Sequence, residues 1–340
     1  MPFLLRCKSA LLLSVFFCLP LPVEPQSAPL QTTSIRVNVD RVNVGVVVTD
    51  SHGQFVTGLR RENFHVFDNG VEQPPTDFLS IDEPAQVLVL VEAGPAVYFL
   101  ESGHLQAVST LLDGLSPSDR VAIVSYDEAP RAILDFTADK RVAAAALDQL
   151  RFNLGFGQLN LSSSVATTLD WLARVPGKKS LVVLSTGFDT SPPAVSEKLL
   201  ARLKVTDVRL LAVSLGGELR NAKPAGSKRS KKDQAASDKA AATAEGFARA
   251  DEQLKALAAA TGGRAYFPAN AKEFSAVFAE IAQLVRHEYS LAFIPPAADG
   301  KSHTIEVRVT ASTSSADSNA TAPSIYRVEH RQAYLAPAQH

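Results

Sequence analysis

Six residues from Gln86 to Val91, QVLVLV, run without the polar alternation of a strand that has one wet face. Such a run is a strand covered on both sides, the central position of an open α/β sheet. Glu92-Ala93-Gly94-Pro95-Ala96 follows as a loop before a helical pattern begins. Ligands of open α/β sheets bind where such loops leave the carboxyl ends of the strands. A site is therefore expected there, although the loop offers one carboxylate, a glycine, a proline and two alanines.

The sequence around this stretch alternates strand and helix over residues 85–285. Helical spacing over Val97–Leu112 leads to a strand at Asp119–Tyr126, an antiparallel edge at Arg131–Phe136 and a helix at Asp139–Leu150. Helix Ser162–Ala173, strand Ser180–Ser185, helix Ala194–Leu203 and strand Val208–Ser214 follow, then helix Asp251–Ala260, a short strand Ala265–Phe267 and helix Lys272–Val285. This order implies a doubly wound, mostly parallel sheet with helices on both faces. Residues 216–247 interrupt it with a basic run and almost no apolar periodicity, so they are expected to be a mobile basic insertion, frayed into helix near its end. Within it Lys228, Arg229, Lys231 and Lys232 are either a solvated loop or a contact for an anionic surface.

The flanks read as β structure. In residues 34–82, Val42-Val44-Val46-Val48 alternate with polar or small residues, and Asp68-Asn69-Gly70 signals a hairpin turn. In residues 288–337 the strand patterns are Tyr289–Phe293, Thr304–Val309, Ile325–Val328 and Ala333–Leu335. Neither flank buries enough surface alone, so the two are expected to pack together as one small β-sandwich.

Residues 1–28 read as a signal peptide. Arg6 and Lys8 precede the apolar run Ser9–Leu21, about a dozen residues and too short to span a bilayer. Cleavage is expected near Ser27 or Ala28; retention as an interfacial anchor is the alternative, because a clean Ala-x-Ala pattern is missing. Phe17 before Cys18 argues against a lipoprotein signal. Cys7 and Cys18 are the only cysteines and both lie in this segment, so the mature chain is expected to have no disulfide, thiolate metal site or cysteine nucleophile. The chain is expected to be exported, periplasmic or extracellular, with no stable membrane insertion after cleavage. Its net charge of −1 gives no general attraction to nucleic acid.

Several stretches occur together in one order: the strand Val87–Val91 ending at Glu92, then DRVAIVSYD, GFGQLNL, SLVVLSTGFD, VRLLAVSLGG and ATGGRAYFP. This order resembles von Willebrand factor type A domains. The flanks VNVGVVVTDSHGQFVTGLRRENFHVFDNGVEQ, HEYSLAFIPP, DGKSHTIEVRV and RQAYLAP look like the exported bacterial, VWFA-related subgroup, and the resemblance covers residues 35–337. It implies a Rossmann-type von Willebrand A-like domain and a magnesium site of the Asp-x-Ser-x-Ser kind, completed by a Thr and a second Asp. The chain departs at every one of those positions. Glu92 stands for the first Asp, its longer side chain expected to overshoot; Gly94 and Ala96 stand for the serines. Leu159 falls at the Thr, with Asn160 or Ser162 within reach if the loop shifts, and Thr186 stands for the second Asp, with Ser185 and Asp189 nearby. Magnesium needs near-octahedral oxygen ligands including one or two carboxylates. The metal site is therefore expected to be degenerate, with no cofactor; a rearranged magnesium set of Glu92, Thr186 and Asp189 is the alternative.

Catalytic signatures are missing. The sequence has no GxSxG elbow, P-loop or HExxH, and its seven histidines show no ligand spacing. The function expected is non-catalytic protein–protein interaction, adhesion or scaffold, through Glu92, Gly94, Pro95, Asn160, Thr186 and Asp189, with an unknown protein partner. A hydrolase is the less favoured alternative.

Overall fold

The computed structural model describes residues 41–98, 103–153, 157–221, 233–310 and 326–336. The chain enters through β1 (Val42–Thr49), turns through a single 3-10 turn at Arg61–Asn63 and forms the hairpin β2 (Phe64–Asp68) and β3 (Val71–Gln73). Asp68 pairs with Val71 across a two-residue turn. Asn69 and Gly70 both have positive φ, 47° and 80°. That is the turn an Asn-Gly pair is suited to, because asparagine tolerates the left-handed region and glycine has no Cβ to clash there. A short strand β4 (Asp77–Leu79) then leads to β5 (Ala85–Glu92), the strand on which the sequence centres.

All eight residues of β5 are buried. Helices α1 (Pro95–Tyr98) and α2 (Gly103–Gly114), β6 (Arg120–Tyr126), β7 (Pro130–Thr137), α3 (Lys140–Leu147), α4 (Leu161–Leu172), β8 (Lys178–Ser185), α5 (Pro193–Leu203) and β9 (Val208–Ser214) follow. Helices α6 (Gly216–Asn221) and α7 (Asp233–Ala260), β10 (Ala265–Tyr266) and α8 (Ala271–Arg286) complete this lobe. The sheet order is β10-β9-β8-β5-β6-β7, parallel except for the antiparallel edge strand β7. Val87, Val89 and Val91 face α2, α3 and α8 in one apolar layer; Leu88 and Leu90 face α4, α5 and α7 in the other. Each fully buried aliphatic side chain of this kind contributes about 1.5–3 kcal/mol. The fold class is the doubly wound, mostly parallel α/β sheet expected from the sequence.

Four further strands come from the C-terminal flank: β11 (Glu288–Phe293), β12 (Ser302–Val309), β13 (Arg327–Glu329) and β14 (Ala333–Leu335). They join the N-terminal strands in two antiparallel sheets, β13-β1-β11-β4 and β14-β12-β2-β3. Val44, Val46, Phe64, Val66, Tyr289, Leu291, Phe293, Ile305, Val307 and Tyr334 share one core between them.

Buried charge fixes this sandwich to the base of the α/β sheet. Arg209 Nε lies 3.0 Å from Glu288 Oε2, with both side chains nearly inaccessible. Among the described residues Arg209 Nε and Nη2 make no directed hydrogen bond, so the contact is one of charge. Lys178 Nζ donates to the carbonyls of Ser80 and Ile81, each at 3.1 Å, and of Glu288 at 3.3 Å. Arg331 donates to the carbonyls of Lys204 and Thr206, and burial together with the charge of Arg209 pushes its guanidinium down to about 10. Lys179 pairs with Asp207 beside them.

One sequence expectation needs correcting. Helix takes up more of residues 216–247 than fraying near their end: α6 occupies 216–221, and α7 begins at Asp233 and runs 28 residues to Ala260, while residues 222–232 lie outside the described residues. Its second half is anchored by the buried Ala250, Leu254, Leu257 and Ala258. The first half is rich in alanine, the best helix former, and extending a helix is far easier than nucleating one. Lys228, Arg229, Lys231 and Lys232 lie outside the described residues, as do residues 1–40 with the expected signal peptide. Among the described residues no helix is long and apolar enough to cross a membrane.

Candidate functional site

Three loops meet at the carboxyl end of the central strands, which we call the apex. Ala93 N donates to the Tyr126 carbonyl at 2.7 Å and Asn153 N to the Ala93 carbonyl at 2.8 Å, tying the loop after β5 to its neighbours. Asn160 N donates to the Asp127 carbonyl at 2.8 Å and Thr190 N to the Leu159 carbonyl at 2.7 Å. Thr190 Oγ1 in return accepts from Leu159 N at 3.0 Å. The loop before α4 and the loop after β8 thus brace each other.

Glu92 lies beneath them and is wholly buried. Its Oε2 accepts from Thr186 N at 2.8 Å, Ser185 Oγ at 2.9 Å, Thr186 Oγ1 at 2.9 Å and Tyr126 Oη at 3.2 Å. Tyr126 Oη also lies 2.7 Å from Ser185 Oγ, which accepts from Gly187 N at 2.9 Å. Burial raises the Glu92 carboxyl above the ordinary range, against the hydrogen bonds from Thr186, Ser185 and Tyr126 that favour its charged form. Burial and the neighbouring Glu92 push the Tyr126 phenol well above its usual value. The overshoot expected from the longer side chain does not occur; Glu92 folds back into donors supplied by β6, β8 and the loop after β8.

Asp189 serves a different group. Its Oδ2 accepts from Ser162 N at 3.0 Å, Ser162 Oγ and Gln253 Nε2, the last at 2.8 Å, while Oδ1 accepts from Ser191 N at 2.9 Å. Burial raises this carboxyl, but the hydrogen bonds from Ser162 and Ser191 outweigh it and hold the group below the usual range. Asp189 is the anion at the start of α4, where unpaired N–H groups favour negative charge. Asn160 sits just before that helix; its Nδ2 donates to the Glu128 carbonyl at 2.9 Å and its Oδ1 accepts from Thr190 Oγ1 at 3.1 Å.

Leu159 fills the remaining space. A Cβ placed on Gly94 would lie 2.6 Å from Leu159 Cδ2 and 3.5 Å from Glu92 Oε1. The leucine thus covers the glycine directly above the buried carboxylate. Phe188, in the loop after β8, stacks edge-on against Phe247 of α7 with ring centroids 5.2 Å apart. Pro95, Leu159, Phe188 and Phe247 are all half-buried, giving the apex an apolar character.

No protein-family profile matches the chain and no curated relative does. Among solved structures it is similar to a von Willebrand factor type A protein from Catenulispora acidiphila, at 10% identity, with 89% of this chain and 75% of that one covered and a TM-score of 0.46. It is also similar to the ArnB paralog VWA2 from Sulfolobus acidocaldarius, at 14% identity, 87% and 76% coverage and a TM-score of 0.40. BatB from Bacteroides thetaiotaomicron matches at 14% identity, covering 59% of this chain and 99% of that one, with a TM-score of 0.43. The chain is similar to von Willebrand factor type A domains. The same likeness was carried by the order of motifs in the sequence.

The magnesium site implied by that resemblance does not fit the residues present. Gly94 offers no side-chain oxygen, Leu159 covers it, and Glu92 and Thr186 are directed at each other and at Ser185 and Tyr126. The structure brings Glu92 and Thr186 together but gives Asp189 to Ser162 and Gln253, so the rearranged set does not converge on one point. Ser162, the candidate for a shifted loop, is turned to Asp189 and to Ser196 Oγ, the latter at 2.9 Å. Among the described residues no three His, Cys, Asp or Glu side chains are grouped as a metal ion requires.

The expected partner contacts are also redistributed. Glu92 and Thr186 are inaccessible and Gly94 is buried, so these three shape the apex from within. Pro95, Asn160 and Asp189 remain half-buried at its surface. Sequence reasoning did not single out Phe188, Tyr126 or Gln253, whose roles depend on neighbours distant in the chain. Gly94→Ser provides a direct check on the metal argument. It is expected to crowd Leu159, cost about 1–3 kcal/mol and give no magnesium-dependent rise in melting temperature.

Proposed function

We propose that this chain is an exported, non-catalytic protein–protein interaction module that meets its partner with the apex of its α/β lobe and needs no metal ion to do so. The observation that carries the reading is the closure of the apex. Its candidate oxygen ligands are taken up by internal hydrogen bonds, and Leu159 stands over Gly94 where a ligand oxygen would be needed. What faces outward is Pro95, Leu159, Asn160 and Phe188, half-buried on braced loops. Such a surface binds by shape and apolar contact, the kind of contact that dominates the centre of protein interfaces. Export rests on the pattern of residues 1–28, and fractionation of producing cells tests it.

The metal arm of the proposal is tested by melting the chain in EDTA and then in excess magnesium, manganese or calcium. Binding at about 100 times the dissociation constant would add roughly 2.7 kcal/mol, several degrees in a protein of this size. The expected result is no shift. A shift that disappears in Asp189→Ala would overturn it. The partner arm is tested by photo-crosslinking in producing cells from reporters at 159, 188 and 205, the last on the exposed Val205 at the opposite end of the sheet. Crosslinks to one protein from 159 and 188 but not 205 are expected; equal labelling from all three, or from 205 alone, would remove the apex as the contact.

A further inference from the structure

The second polar centre lies in the sandwich. Asp68 closes β2 just before the Asn69-Gly70 turn, and its side chain is almost wholly buried. His303, on β12, places Nδ1 at 2.8 Å from Asp68 Oδ1, and Tyr334 on β14 donates from its hydroxyl to Asp68 Oδ2 at 3.1 Å. The other ring nitrogen of His303, Nε2, lies 3.2 Å from Asp299 Oδ1, in the connection between β11 and β12. Only 8% of the His303 side chain is accessible, against 35% for Asp299.

A neutral imidazole has one N–H and one lone pair. It can donate to one of these two carboxylates, and must then turn its lone pair on the other. Both contacts are satisfied together only when the ring carries two protons. The same turn is organised around Asp299, whose Oδ1 also accepts from Lys301 N at 2.9 Å. Further along the chain Ala336 N donates to the Lys301 carbonyl at 2.8 Å, so this connection also meets the segment after β14.

We propose that His303 is a proton-operated latch, a doubly protonated ring that holds the β11–β12 connection against β2 and releases it when the Nε2 proton is lost. The charged and titratable groups that face it are Asp68 from β2, Tyr334 from β14 and Asp299 from the connection, with Lys301 adding positive charge beside Asp299. Burial lowers the ring's affinity for a second proton, but the hydrogen bonds and charges of Asp68 and Asp299 outweigh it and the net direction is upward. A histidine raised in the folded state lends stability that is complete below its ordinary pKa of about 6.5 and is lost as pH climbs through the folded value. The latch is therefore closed below the ordinary histidine range and opens as pH climbs through the raised folded value.

The test uses the whole chain. Ring resonances of the histidines are followed by NMR across the pH range, with His303 assigned by its loss in His303→Gln. Hydrogen exchange of the peptide covering residues 294–302 is measured over the same range and corrected for the intrinsic rate. The expected result is a His303 titration above the ordinary value, accompanied by loss of protection of roughly tenfold for every pH unit by which the ring titrates above it. Asp299→Asn, at a half-exposed position, should leave the chain folded, lower the pH at which the ring titrates and abolish the pH dependence of exchange. A ring that titrates at or below the ordinary value would overturn the latch. So would exchange in residues 294–302 that is independent of pH in the unaltered chain, or unchanged in its pH dependence by Asp299→Asn.

Discussion

Glu288→Ala is expected to be among the most damaging single changes in the protein, lowering stability by about 3–5 kcal/mol. The carboxylate is the counter-charge to Arg209, and both lie where the sandwich meets the α/β sheet. Removing it leaves Arg209 buried without its counter-charge, next to the buried Arg331, and with Lys178 close by. Uncompensated buried charge costs far more than the intact pair contributes. That distinction makes the prediction sharp. Replacing both partners, Arg209→Met with Glu288→Leu, should recover most of the loss, because well-packed apolar groups of similar volume can substitute for a buried ion pair at little net cost. Chemical denaturation of the two single variants and the double variant gives the coupling directly. If Glu288→Ala melts within a kcal/mol of the unaltered chain, the pair does not hold the two lobes together.

The same position shows how the sequence hides a contact that the fold requires. β1 reads as plain alternation of valines, and the Gly45 within it looks like an ordinary small residue on the polar face. A Cβ there would lie 1.9 Å from Glu288 Oε1, so the glycine is the hollow that admits the carboxylate. Neither residue signals the other, because they meet only after the two flanks have paired. Gly94 and Leu159 form a second pair of this kind. By contrast, β5 was legible because burial on both faces leaves an unbroken apolar run, and the Asn69-Gly70 turn because its backbone angles call for those two residues. The N-terminal reach of α7 was missed for a different reason. Its first half has no apolar stripe, and intrinsic propensity added to an anchored second half decides the structure without one. At the apex, the identity of the altered ligand positions was readable from the order of motifs. The direction of Glu92 was not, because it is set by Tyr126 and Ser185 on neighbouring strands.

Glu92 itself separates charge from hydrogen bonding. Glu92→Ala is expected to cost about 3–5 kcal/mol, since it opens a cavity and strands Thr186 N, Ser185 Oγ and Thr186 Oγ1 without their acceptor. Glu92→Gln should behave in the opposite way. An amide oxygen at the position of Oε2 keeps those acceptor roles, and the amide nitrogen falls at Oε1, whose one hydrogen-bond partner among the described residues is the rotatable Thr186 hydroxyl. The variant also removes the titration. A carboxyl whose folded value is raised lends its full relative stability only below the ordinary glutamate range, and stability declines as pH rises from there to the folded value. Glu92→Gln is therefore expected to melt at or above the unaltered chain at pH 8, with the difference shrinking as pH falls toward about 4.5. Parallel melts of both chains across that range decide the matter. A glutamine variant that is less stable at pH 8 and recovers in acid would mean that the charged carboxylate is what the four surrounding donors stabilise. The apex would then hold a permanent negative charge beneath Leu159, and the metal-free reading of its surface would have to be reopened.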